Sequence, residues 1–127
     1  MPKIVVIDDS PSTLEAVESM LAATGFEVSA FTMWASAVQK LTTEVVDLII
    51  TDVYMPGADG LEVIRARRHI CPDVPVVAMS GMRGRRDMLK VARLMGACQT
   101  LRKPFSREEL VAAVHAALNV RCPDRLR

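Results

Sequence analysis

Apolar runs and amphipathic stretches alternate along the chain, and that alternation predicts five βα units. The strand-like runs begin near Lys3, Phe26, Asp47, Val74 and Cys98. Ile4 to Ile7, Leu48 to Ile50 and Val76 to Met79 are apolar without a two-residue period, which is how strands read when helices cover both faces of their sheet. A parallel sheet is therefore expected. Ser10 before Pro11 is an N-cap with proline at the first helical position, followed by Leu14, Val17 and Leu21 at helical spacing, with Gly25 ending the helix. Ser106 and Glu109 make a capping box, and Leu110, Val111, Val114 and Leu118 give the last helix an apolar face for the sheet. The remaining helices are predicted at about Trp34 to Thr43, Asp59 to Arg68 and Arg85 to Met95. The fold class is α/β: a doubly wound, five-stranded parallel sheet flanked by five helices.

Length and composition narrow this picture. The 127 residues amount to about one domain. The longest apolar runs fall far below the roughly 18 residues that span a bilayer. Met1-Pro2-Lys3 leads directly into a strand rather than a secretory signal, so a soluble, cytoplasmic protein without membrane contact is expected. Cys71, Cys98 and Cys122 are odd in number and lack zinc-site or CxxC spacing, so they are expected to be reduced bystanders. Sixteen basic and fifteen acidic residues leave a net charge of +1, which gives no global field toward nucleic acid or an anionic membrane. Partners must be recognised locally.

The polar residues that interrupt the apolar pattern all fall at the carboxyl ends of strands. Asp8 and Asp9 follow the first strand, Asp52 the third, Ser80 the fourth and Lys103 the fifth. In an open parallel sheet that edge binds ligands at the topological switch point, and a strand order 2-1-3-4-5 brings the first and third strands together there. Three converging carboxylates repel one another unless a cation neutralises them. A hard divalent cation suits them: Mg²⁺ takes oxygen ligands at about 2 Å, and the set offers no soft donors. Lys103 can reach a phosphoryl oxygen or hold Asp52, and the Ser80 hydroxyl can donate to another such oxygen.

Val6-Ile7-Asp8-Asp9, Thr51-Asp52 followed by Met55-Pro56 and Asp59-Gly60, Ser80-Gly81, and Lys103-Pro104-Phe105 together resemble the response-regulator receiver family. The resemblance covers residue 3 to about residue 118, with each motif at a predicted strand end. It implies a flavodoxin-like fold and a phosphorylation-activated switch of a two-component system. By that resemblance Asp52 is the phosphoacceptor, taking its group from a phosphohistidine on a sensor histidine kinase or a histidine phosphotransfer protein. Asp9 binds Mg²⁺ directly, Asp8 binds it through water, and the main-chain carbonyl of Tyr54 is a further metal ligand. Ser80 and Lys103 sense the phosphoryl group. The switch changes a surface that binds a downstream output protein or domain, with no direct nucleic-acid contact by this domain. It is a signalling domain rather than an enzyme, catalysing only its own phosphorylation and dephosphorylation. Residues 1–119 are expected to be the receiver domain and 120–127 a C-terminal tail or the start of a linker.

Other readings compete with this one: a receiver-like interaction module that is never phosphorylated, a receiver domain cut from a larger transcriptional regulator, or an Asp-nucleophile phosphohydrolase. The hydrolase would want an acid two residues after the nucleophile, where Tyr54 stands. An inert module fits poorly with five filled site positions. Arg83, Arg85, Arg86, Lys90 and Arg93 read as a solvated face, and His69 and His115 as surface or helix-packing residues. Thr100, three residues before Lys103, stands where the family often carries an aromatic switch residue, so output must rest on movement of the Ser80 loop instead. Tyr54 and Met82 stand two positions after Asp52 and Ser80, where by the resemblance the family tunes the lifetime of its phosphoryl group, and neither offers a carboxylate or amide to orient an attacking water. Slow autodephosphorylation is expected. Decay of the phosphorylated protein in excess Mg²⁺ should speed up in Tyr54→Asn and Met82→Glu; unchanged decay in both would contradict the shielding argument.

Overall fold

The computed structural model describes residues 1–55, 58–81 and 88–119, with 54, 55 and 58–60 described by their backbone alone. The main sheet is formed by β1 (Lys3–Ile7), β2 (Glu27–Phe31), β3 (Leu48–Asp52), β6 (Val76–Ser80) and β7 (Gln99–Arg102). Every pairing in it is parallel, in the order β2-β1-β3-β6-β7. Counted by its own strands, that is the expected 2-1-3-4-5. Between them run α1 (Pro11–Ala22), α2 (Trp34–Thr43), α3 (Gly60–Ile70), α4 (Met88–Leu94) and α5 (Arg107–Asn119). A two-residue antiparallel ladder, β4 (Tyr54–Met55) with β5 (Ala58–Asp59), was not expected from the sequence.

The unbroken apolar character of the central strands serves two cores at once. Alternate residues of β1 and β3 point to opposite faces. Val5, Ile7 and Ile49 join Ala37, Leu41, Val63, Ile64 and Leu89 on one side. Ile4, Val6, Leu48 and Ile50 join Leu14, Val17, Leu21, Leu110 and Val114 on the other. Burying each such Ile or Leu contributes roughly 1.5–3 kcal/mol. All five residues of β3 and of β6 are buried, whereas edge strands β2 and β7 stay half open.

The caps form as read. Ser10 Oγ accepts from the Thr13 amide, and Ser106 and Glu109 exchange hydrogen bonds at 3.0 Å in both directions. Helix α1 ends at Ala22, with Gly25 turning the chain at φ +85°, a conformation that glycine adopts without strain. Helix α5 buries Ala113 and Ala117 beside Leu110 and Val114, while Val111 and Leu118 are only half-buried. Helix α3 runs from Gly60 to Ile70, starting one residue later and ending two residues later than expected. Arg83, Arg85 and Arg86 lie outside the described residues, whereas Lys90 and Arg93 are exposed on α4. His69 is exposed, and His115 packs its ring 5.6 Å from that of Phe26.

One expectation about the cysteines is corrected. Cys98 is disulfide-bonded: an odd count excludes full pairing but leaves room for one bond. Cys122 lies outside the described residues, and Cys71 is the free cysteine among those described. Burial pushes the Cys71 thiol pKa up, opposed in part by the nearby Arg67 guanidinium.

Candidate functional site

Topology assembles the site from residues far apart in the chain. Strands β1 and β3 are neighbours and end level, with Ile7 opposite Thr51. Asp8 therefore emerges beside Asp52, the last residue of β3. Strand β6 continues the edge with Ser80, and β7 adds Lys103 just beyond its end.

Asp8 is fully buried and both of its carboxylate oxygens are engaged. Oδ1 accepts the Ser10 amide at 2.9 Å, and Oδ2 lies 2.6 Å from Lys103 Nζ. The same ammonium lies 3.4 Å from Asp52 Oδ2. One lysine thus spans two buried carboxylates that would otherwise repel each other. Asp9 is exposed. Carboxylate oxygens of Asp8, Asp9 and Asp52 lie within 4.8 Å of one another, a grouping able to hold a metal ion. Donors of this kind, all hard oxygens, fit Mg²⁺.

Ser80 is buried, and its hydroxyl donates to the Gly81 carbonyl at 3.1 Å. The Lys103 main-chain N–H donates to the Ser80 carbonyl at 2.8 Å, tying the β6 and β7 ends together. The peptide bond between Lys103 and Pro104 is cis. These residues open onto a cavity of about 540 Å³ whose far wall is apolar, built from Ala16, Val17 and Met20 of α1 with Phe105. Five residues singled out in the sequence, Asp8, Asp9, Asp52, Ser80 and Lys103, line this one cavity. Tyr54 is placed by its backbone in β4, directly after the Asp52 strand, and Met82 lies outside the described residues.

The family description "Response regulator receiver domain" matches residues 4–115. The chain belongs to the response-regulator receiver family. Its receiver domain is 40% identical over 121 residues to the transcriptional regulatory protein PrrA of Mycobacterium leprae, covering 94% of this chain and 51% of PrrA. The chain thus spans about half the length of that relative. A response regulator receiver domain protein from Clostridium thermocellum superposes with a TM-score of 0.85 at 30% identity, covering 94% of this chain and 95% of that one. The beryllofluoride-activated NtrC4 receiver domain dimer superposes at 0.82 with 28% identity, covering 92% and 97%. The chain is therefore a signalling domain of two-component response regulators. Among the described residues, no helix of this receiver domain is long and apolar enough to cross a membrane.

Two features of the receiver domain escaped the sequence reading. Arg67 is fully buried on α3, donating to Pro72 O at 3.2 Å and to Gly96 O at 3.5 Å. It follows Val63 and Ile64 at helical spacing, so the apolar stripe of α3 passes through it. Arg93 of α4 reaches Thr100 Oγ1 at 3.3 Å, a meeting of helix and strand that no local pattern announces.

Proposed function

We propose that this receiver domain accepts a phosphoryl group on Asp52 from a phosphohistidine donor, a sensor histidine kinase or a histidine phosphotransfer protein, and relays the change to an output protein or domain. The observation that carries the reading is Lys103 Nζ held between Asp8 and Asp52. A cation beside a carboxylate nucleophile neutralises charge on a transferring phosphoryl group and costs no reorganisation during transfer. The Asp52 carboxylate attacks phosphorus in line, forming the aspartyl phosphate as the donor's nitrogen departs. Asp9 and Asp52, with the Tyr54 main-chain carbonyl, would hold Mg²⁺ directly, and Asp8, which anchors Lys103, would serve it through water. Bound Mg²⁺ supplies further neutralisation of the phosphoryl oxygens. Ser80 then turns its hydroxyl to the phosphoryl group. Activation of the NtrC4 receiver domain by beryllofluoride favours the same chemistry here.

Residues 1–119 form the receiver domain and 120–127 a tail or linker start. The match to half of PrrA, named as a transcriptional regulator, favours a larger regulator in which this domain governs an output domain. The domain catalyses only its own phosphorylation and dephosphorylation, in the cytoplasm. Incubation with acetyl phosphate and Mg²⁺ should add one phosphoryl mass to the wild type and none to Asp52→Ala. Equal gain in both would remove Asp52 from the role.

A further inference from the structure

We propose that the cavity beside Asp52 selects small-molecule phosphodonors by their apolar end, favouring acyl phosphates with a short hydrocarbon chain over acetyl phosphate; this rests on the phosphoacceptor reading above. The cavity measures about 540 Å³, inside the range of roughly 300–1,000 Å³ usual for small-ligand sites. Its lining has two chemistries. Asp9, Asp52, Ser80 and Lys103 form the polar part, and Ala16, Val17 and Met20 of α1 with Phe105 form the apolar part. A molecule that is anionic at one end and apolar at the other matches both.

Phosphoryl transfer alone does not call for the apolar part. The phosphoryl end is matched by charge, with the Lys103 ammonium 3.4 Å from Asp52 Oδ2 and the acidic cluster able to hold a cation. Val17 is buried in the core beneath α1, and Met20 and Phe105 pack against that core while staying half-open. Ala16 is exposed on the same helix. Apolar surface left open to water is unfavourable, and a hydrocarbon chain lying on it removes both surfaces from water.

The transfer balances without a further reactant. A carboxylate oxygen of Asp52 attacks phosphorus, the bond from phosphorus to the bridging acyl oxygen breaks, and its electron pair leaves on the departing carboxylate. The hydrocarbon chain takes no part in bond making. Held by the wall, it brings phosphorus to Asp52 more often at a given donor concentration, which raises the second-order rate constant. Each further methylene removed from water tightens binding roughly fourfold, so butyryl phosphate, two methylenes longer than acetyl phosphate, should react roughly tenfold faster when dilute. Acetate and butyrate are almost equally basic, so the two donors do not differ as leaving groups.

The experiment compares phosphorylation of the domain by dilute butyryl phosphate and acetyl phosphate, each with Mg²⁺. The ratio of the two rates, which cancels any loss of folded protein, should be about ten in wild type. Met20→Gln keeps the length of the side chain and makes it polar, and Ala16→Phe fills the cavity from an exposed helical position. The ratio should fall at least about threefold in each. A wild-type ratio near one, or a ratio unchanged in both variants, would overturn the selectivity and leave the wall to a phosphohistidine donor. A second measurement separates this from the phosphoacceptor reading. In 2-oxopentylphosphonate and 2-oxopropylphosphonate a methylene replaces the bridging oxygen of the two donors, so no phosphoryl group can leave. Titrated with Mg²⁺ and followed by the amide shifts of Thr13, Ala16 and Val17, the longer phosphonate should bind about tenfold tighter. That preference without transfer from either acyl phosphate would refute the phosphoacceptor reading and keep the selectivity of the cavity. Transfer from both donors without that preference would refute the selectivity alone.

Discussion

Replacing Lys103 with alanine is expected to destabilise the domain by about 3 kcal/mol in metal-free buffer, the range met when one partner of a buried ion pair is removed. The Asp8 side chain is 0% exposed and that of Asp52 8%, and the lysine ammonium lies 2.6 Å and 3.4 Å from their oxygens. Without it, two carboxylates face each other with little water between them. For a domain of this size the thermal midpoint should fall by roughly 10 °C. Adding Mg²⁺ should recover much of the loss, because a cation bound only by the folded state stabilises it by mass action. In the double variant Lys103→Ala with Asp9→Ala that recovery should shrink, since Asp9 is the exposed carboxylate of the cluster. A metal-free midpoint within about 1 °C of wild type would contradict the electrostatic role of Lys103. Equal Mg²⁺ recovery in single and double variants would contradict the placement of the metal.

Arg67→Ala is expected to cost about 3 kcal/mol or more, for two reasons that add. Truncating a fully buried side chain leaves a cavity, and the Pro72 and Gly96 carbonyls lose their donors. Arg67→Met refills most of the volume and supplies no donor, so its stability should fall between the alanine variant and wild type. Urea denaturation reads both. A methionine variant as stable as wild type would show that packing alone matters at this position. An alanine variant within about 0.5 kcal/mol of wild type would show that neither packing nor hydrogen bonds do.

The central strands were legible because a strand covered on both faces favours apolar residues, and after Lys3 up to the site β1, β3 and β6 depart from that only at the buried Thr51. Asp8, Asp52 and Ser80 were legible for the complementary reason, as polar residues closing largely apolar strands, whereas Lys103 follows the mixed strand β7 and was legible from its place after the fifth strand. The β4–β5 ladder was not, because two-residue strands carry no periodicity. Arg67 was hidden by its neighbours, since Arg65 and Arg68 are exposed and share its chemistry. Only its phase with Val63 and Ile64 marked it as inward. Reading Arg93 as solvated was right as far as exposure goes, yet its guanidinium also meets Thr100. That contact joins α4 to β7, and the pattern within either element is silent about it. Thr100 itself stood out only through the family resemblance, as the position where an aromatic residue was missing.

The most direct test of the account is to locate the phosphoryl group. The wild-type domain would be treated with acetyl phosphate and Mg²⁺, reduced with borohydride to convert any aspartyl phosphate to homoserine, digested, and sequenced by mass spectrometry. The account predicts homoserine at Asp52, with Asp8, Asp9 and every other aspartate intact. Homoserine at another aspartate, or at none despite a phosphoryl mass on the intact protein, would contradict it.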